Sequence, residues 1–277
     1  MEEIAFFNGK FLPLQEVKVS VFETGFLSGL GLFESMRAYH NRIVYFNQHL
    51  HRIRDSSRLM EIEFPSSLKK MKQTIQQTVK INRLNDAYVR LTLWPAKKQT
   101  NILIVTRTYK PFSILDYQKG FSAGIAKFRQ NENSPLAGIK STNRILYELA
   151  YRQAKKKGFA EAVILNNRGY LTEGTRSNIF FVKDKEIFTP SLACGCLGGI
   201  TRRVIFALAR KYNIIVQEGN FTLKDLYAAE EAFLTNSLMG IMPLSAVEKK
   251  IIGRGAKFFK VAHFFRQKYN LLLKYGI

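Results

Sequence analysis

Lys140 is the residue whose setting most suggests chemistry. It stands in Leu136-Ala137-Gly138-Ile139-Lys140-Ser141-Thr142-Asn143-Arg144, after an apolar step and before a polar run that opens a helix. A lysine works as nucleophile or base only when its pKa falls toward neutrality, which takes partial burial or a neighbouring positive charge. Arg144 can supply the charge, and Leu136 and Ile139 the apolar cover. The chain holds 43 Lys and Arg, so an ordinary surface lysine is the competing reading.

Other segments offer anion sites. Gly198-Gly199-Ile200-Thr201 precedes a helical pattern, where free backbone N–H groups and the positive end of a helix dipole converge. Thr201 could equally cap that helix. Asn236 and Ser237 lie in a second polar turn after a strand. Arg52 shares a helix face with His49 and Ser56, either as an anion ligand or as a solvated helix charge. Arg37 and Arg90 could each serve as a structural ion-pair partner. Glu173, after Thr172, is either a working carboxylate or a residue of a surface turn.

These residues need elements to hold them. Residues 4–22 alternate short apolar runs with turns, including the hairpin signal Asn8-Gly9, and predict an N-terminal sheet that takes in Val17, Val19 and Val21. Gly25, Gly29 and Gly31 suggest a chain passing close to something, although their spacing fits neither a P-loop nor a dinucleotide fingerprint. Helical spacing marks 46–60, through Leu50, Ile53 and Ser57, and 66–83, through Leu68, Met71, Ile75 and Val79. Strands are expected at 86–93 and 102–106. The first domain is expected to span 1–111, with a linker at 112–120 where proline and a change of pattern coincide.

In a second domain, 121–277, strands are expected at 121–127, 162–165, 179–182 and 232–235. Helices are expected at 145–157, burying Leu146, Leu149, Ala150 and Ala154, and at 201–212. A closing helix at 255–273 sets Phe258, Phe259, Ala262, Phe265, Tyr269 and Leu272 beside Lys257, Lys260, Arg266 and Lys268. Such a helix can lie on a membrane, but packing on its own core is the expectation.

With 277 residues, 46% of them hydrophobic, the chain can bury a full core and suits two domains. It has no apolar run of eighteen residues, and the acidic start Met1-Glu2-Glu3 is unlike a signal peptide, so a cytoplasmic protein without membrane association is expected. Cys194 and Cys196 sit too close for an ordinary disulfide and lack a second pair for zinc. The four histidines are scattered, so no metal is expected. The net charge of +22 raises the prospect of nucleic acid, but the Lys and Arg are dispersed and no nucleic-acid motif is present. A small anionic substrate would benefit from that charge.

Taken in order, the Lys140 segment, Glu173 to Phe180, Leu197 to Arg202 and Leu234 to Gly240 resemble the class IV pyridoxal-phosphate enzymes, nearly end to end from Phe7-Asn8-Gly9-Lys10 to Pro243. The resemblance implies a two-domain α/β (α+β) chain of fold type IV, like D-amino-acid aminotransferase, with its active site between the domains. The implied cofactor is pyridoxal 5'-phosphate and the implied assembly a homodimer. It makes Lys140 the Schiff-base lysine and proton carrier, and Glu173 the carboxylate at the pyridine nitrogen. Arg52, the Ile200 and Thr201 backbone N–H groups, Asn236 and Ser237 are the implied phosphate contacts. Arg37, Arg90 and Arg144 are the candidates for receiving substrate.

Within the family, lysine, two residues and Asn143-Arg144 look like aminodeoxychorismate lyase, as does Thr235-Asn236-Ser237-Leu238-Met239-Gly240-Ile241-Met242-Pro243. Branched-chain enzymes have the asparagine and a tyrosine one residue later, and the Arg-x-x-His loop of D-amino-acid enzymes is not found after Leu93. Trp94-Pro95-Ala96-Lys97-Lys98 is a shorter version of the family's loop. The expected reaction is removal of pyruvate from 4-amino-4-deoxychorismate, giving 4-aminobenzoate for folate synthesis. The alternative is an aminotransferase acting on branched-chain or D-amino acids with 2-oxoglutarate. A non-catalytic basic binding protein on this fold is a remote third reading.

Overall fold

The computed structural model describes residues 2–97, 99–253 and 259–275. The chain forms two compact units, Met1–Lys110 with Ile139–Asn143, and Pro111–Gly138 with Arg144–Ile277. Each unit builds its own sheet.

In the first unit the Asn8-Gly9 pair, with φ of 46° and 93°, turns β1 (Ile4–Phe7) back into β2 (Lys10–Pro13). After the short α1 (Thr24–Leu27) come β3 (Leu32–Tyr39), β4 (Arg42–Ile43), α2 (Phe46–Leu59), α3 (Leu68–Ile81), β5 (Ala87–Pro95) and β6 (Thr100–Thr108). The strands form an antiparallel sheet in the order β2-β1-β6-β5-β3-β4. Alternation sets Leu32, Glu34, Met36 and Ala38 of β3 on one face, where Met36 and Ala38 join Leu50 and Ile53 of α2 and Met71, Ile75 and Val79 of α3 in one core. Phe33, Ser35 and Arg37 take the other face, level with Thr92, Arg90 and Tyr88 of β5. The expected strand through Val17, Val19 and Val21 does not form. Val19 and Val21 remain exposed, since apolar alternation makes a strand only where a partner edge receives it.

Residues 139–143 run beside the start of β3. Phe33 N donates to Lys140 O at 3.0 Å, Thr142 N to Gly31 O at 2.8 Å and Thr142 Oγ1 to Gly29 O at 2.7 Å. Gly31 explains part of the glycine signal. A Cβ there would come within 2.9 Å of both Leu93 O and Thr142 Oγ1, so only glycine lets these backbones meet.

The second unit starts with α4 (Ile114–Lys119), held by a capping box between Ser113 and Asp116 inside the expected linker. Ile114 and Leu115 are exposed, so no apolar periodicity announced this helix. There follow β7 (Phe121–Gln130), α5 (Ile145–Lys156), β8 (Glu161–Asn166), β9 (Leu171–Gly174), β10 (Asn178–Lys183), β11 (Glu186–Pro190), α6 (Ile200–Lys211), β12 (Val216–Gly219), α7 (Leu223–Tyr227), β13 (Glu231–Asn236), β14 (Gly240–Val247), β15 (Lys250–Ile251) and α8 (Lys260–Tyr275). The mixed sheet runs β12-β11-β10-β13-β14-β7-β8-β9, with β15 on β14.

On α5, Ala150 and Ala154 are buried as expected, whereas Leu146 and Leu149 are exposed. The small residues, not the large ones, face the sheet. On α8, Ala262, Phe265 and Tyr269 are buried, and Phe265 stacks on Phe233 of β13, so the helix packs on its own unit. Leu273 rather than Leu272 completes that face. Lys257 and Phe258 of the expected closing helix, and Lys98 of the short loop, lie outside the described residues. Among the described residues no helix is long and apolar enough to cross a membrane.

Candidate active site

In the first unit the Lys140 Nζ lies 4.6 Å from the centroid of the Phe33 ring. The Arg90 guanidinium lies 3.9 Å from the same centroid, and its Nε donates to Thr92 Oγ1 at 3.2 Å. The negative face of an aromatic ring attracts cations, so Phe33 gathers two positive groups from separate segments. Arg37 stacks over Tyr109 at 4.2 Å, and its Nη2 is 3.8 Å from Asp86. Its buried Nε has no hydrogen-bond partner.

Glu34, on the core face of β3, is fully buried. Its Oε1 accepts from Arg52 Nε, and its Oε2 from Arg52 Nη2 and His49 Nδ1, each at 2.7 Å. Burial pushes the Glu34 carboxyl up, but Arg52 and His49 outweigh it and hold it at about 2. Burial pushes His49 below its ordinary 6.5. Glu34 opposes that shift, while Arg52 and Lys140 add to it. Arg52 is therefore no solvated helix charge. Two edges of its fork are fixed by a buried carboxylate.

In the second unit Glu173 ends up buried on β9, not on a surface turn. Tyr147 of α5 donates its hydroxyl to Glu173 Oε1 at 2.9 Å, and Leu197 N donates to Oε2 at 3.1 Å. Burial, and then the Glu173 charge, push the Cys196 thiol up to about 12, so Cys196 stays neutral here. Arg144 donates to the carbonyl of Thr175 and lies 4.3 Å from the Tyr147 ring centroid. The turn after Glu173 is held by buried Glu161, which accepts from Thr175 N, Thr175 Oγ1, Arg176 N and Ser177 Oγ.

Helix α6 begins after Gly199, its N-cap, so Thr201 lies inside the first turn and is not the cap. A Cβ at Gly199 would collide with Asn178 Oδ1, whose amide nitrogen donates to Leu197 O at 2.7 Å. Thr201 is buried, and its Oγ1 has no partner. An orphaned hydroxyl in the first turn of a twelve-residue helix fits an anion that accepts from it together with the open backbone N–H groups. Asn236 shapes the turn between β13 and β14. Its Oδ1 accepts from Leu238 N and Met239 N, and its Nδ2 donates to Arg176 O; Ser237 follows in that turn. Among the described residues no group of His, Cys, Asp and Glu could hold a metal ion.

Glu34, Phe33, Tyr147 and Glu161 had no assigned role in the sequence. Glu34 carried a signal, a charge at the inward position of an alternating strand. The tie from Tyr147 to Glu173 joins a helix and a strand 26 residues apart and left none.

Within the second unit, the buried Glu173 carboxylate and the α6 N-terminus with its orphaned Thr201 hydroxyl offer a fixed negative charge and a place for an anion. The family model for amino-transferase class IV matches residues 31–247, and the chain belongs to that family, whose cofactor is pyridoxal phosphate. It is 33% identical over 257 residues to a Methanocaldococcus jannaschii protein whose name assigns it provisionally as a branched-chain-amino-acid aminotransferase, covering 89% of this chain and 88% of that one. It is 28% identical over 254 residues to an aminodeoxychorismate lyase of Bacillus subtilis, covering 87% and 86%. Its fold matches a T.th. branched-chain amino acid aminotransferase with pyridoxamine 5'-phosphate at a TM-score of 0.93 and 25% identity, over 99% of this chain and 94% of that one. The α/β architecture is thus that of the fold type IV enzymes.

Proposed function

We propose that this chain is a lyase that converts 4-amino-4-deoxychorismate into 4-aminobenzoate and pyruvate. The observation that carries this reading is the Lys140 segment. Only two residues separate Lys140 from Asn143-Arg144, and the short stretch is pinned beside β3 by Phe33 N to Lys140 O and Thr142 N to Gly31 O. The likeness to the Bacillus subtilis lyase supports it.

Pyridoxal phosphate, when bound, supplies an electron sink for the carbon that carries the substrate's amino group. Lys140 would take the proton from that carbon and deliver it to the departing enolpyruvate. Glu173 would set a negative charge against the cofactor's ring nitrogen. Ile200 N, Thr201 N and Thr201 Oγ1 would hold the phosphate, with Arg52, Asn236 and Ser237 as further contacts. Arg37 and Arg90 receive the two substrate carboxylates, while Arg144 braces Tyr147 and the turn at Thr175. Breaking the ring C–H bond and the ring C–O bond makes the ring aromatic and expels enolpyruvate, which takes up the removed proton to become pyruvate, so atoms balance with no second substrate. The active form is a homodimer in the cytoplasm.

The M. jannaschii relative supports a second reading, an aminotransferase for branched-chain amino acids. Supplying aminodeoxychorismate without any 2-oxo acid separates the two. The lyase forms 4-aminobenzoate continuously, whereas a transaminase stops after one turnover.

A further inference from the structure

The buried Glu173 accepts from two donors that differ in kind. Leu197 N belongs to the backbone, but the other donor is the Tyr147 hydroxyl, 2.9 Å from Oε1. Gln130 Oε1 lies farther from that hydroxyl, at 3.4 Å, so its single proton points to the carboxylate. Arg144 fixes the tyrosine from behind. Its guanidinium lies over the ring and also donates to Thr175 O, two residues past Glu173, so one side chain ties the ring to the strand end that carries the carboxylate. Burial, reinforced by the Glu173 charge, pushes the Tyr147 hydroxyl well above its ordinary value, so it remains a donor at every working pH. Arg144 and Cys196 also face the pair, with Arg202 and Cys194 beyond Cys196.

We propose that Tyr147 is a positioning residue for Glu173: its hydroxyl fixes the carboxylate's orientation, keeps it ionised, and so sets the proton affinity of the cofactor's ring nitrogen. This rests on the reading of Glu173 as the counter-charge of that nitrogen. A hydrogen bond to an ionised carboxylate favours the charged form, and a buried carboxylate that loses a side-chain donor is freer to turn and to take up a proton.

The test uses enzyme loaded with pyridoxal phosphate and three forms of the chain: Tyr147→Phe, Glu173→Gln, and 3-fluorotyrosine incorporated at position 147 as a stronger donor. Two readouts are taken, the pH midpoint of the bound cofactor's absorbance without substrate, and kcat with KM. Tyr147→Phe is expected to move the midpoint and to lower kcat about tenfold at nearly constant KM, the equivalent of losing one hydrogen bond to a charged group. The fluorinated residue is expected to move the midpoint the opposite way. If Glu173→Gln changes both readouts while Tyr147→Phe changes neither, Tyr147 has no such role and the reading of Glu173 stands. If Glu173→Gln changes neither, that reading falls and this inference falls with it. Should the Phe variant fail to fold, an unmoved midpoint in the fluorinated protein overturns the proposal.

Discussion

The Lys140 Nζ sits 4.6 Å from the centre of the Phe33 ring, on the strand that also donates a backbone hydrogen bond to the Lys140 carbonyl. Lysine position is thus set twice from β3, once through the backbone and once through the ring. A cation over an aromatic face is stabilised by roughly 0.5–2 kcal/mol. Phe33→Leu keeps an apolar side chain there, though a smaller one, and removes the quadrupole. It is expected to lower kcat by about three- to thirtyfold, with a melting temperature close to that of the unaltered protein. Steady-state kinetics beside a thermal melt checks it, and an unchanged kcat would mean that the ring does not help to place the amine.

The orphaned Thr201 hydroxyl gives a sharper test of the anion site, because its two consequences have opposite signs. A buried hydroxyl without a partner is a liability until an acceptor arrives. Thr201→Val should therefore leave the cofactor-free protein as stable or more stable, while weakening pyridoxal phosphate binding by about tenfold. Calorimetric titration and denaturant unfolding of the same preparation measure the two effects. A variant that binds the cofactor as tightly as before contradicts the assignment.

Acid should expose the Glu34, His49 and Arg52 cluster. Glu34 is held at about 2, below its ordinary 4.5, so its contribution is fully present above pH 4.5 and is lost as pH falls toward 2. His49 is also depressed, so its contribution is complete above 6.5 and declines as pH falls below that. Stability is therefore expected to start dropping below pH 6.5 and to drop further below 4.5. Glu34→Gln should flatten the second stage. Arg52→Ala leaves a buried charge without its main partner and should cost about 3–5 kcal/mol near neutrality. Urea unfolding across pH checks each slope, and a profile that is flat between pH 6.5 and 3 would contradict this account.

Lys140→Ala is expected to reduce turnover by at least about a thousandfold. In the unaltered protein, borohydride treatment should fix the cofactor on Lys140, located by peptide mapping. A label on any other lysine would remove Lys140 from its assigned place.

How much of this was legible in the sequence follows from the kind of signal each residue left. The helices over Leu50 and Ile53 and over Met71, Ile75 and Val79 were read because one apolar stripe repeats at the helical period. The hairpin at Asn8-Gly9 was read because positive φ selects those residues. The strand expected through Val19 and Val21 was wrong, because alternation reports a strand only when something pairs with it. Helix α4 was missed because its capping box, not its hydrophobic pattern, defines it. Lys140, Glu173 and Thr201 stood out by ordered motifs. Their supports, Phe33, Tyr147 and Glu161, depend on pairings between distant segments that local patterns do not encode.

The central claim is an elimination that needs no amino acceptor. The direct measurement is 4-aminobenzoate and pyruvate formed from 4-amino-4-deoxychorismate by enzyme loaded with pyridoxal phosphate, with no 2-oxo acid present. The account predicts both products in equal amounts, rising linearly far beyond one equivalent per active site. No product from aminodeoxychorismate, together with turnover of a branched-chain or D-amino acid when 2-oxoglutarate is added, would contradict it.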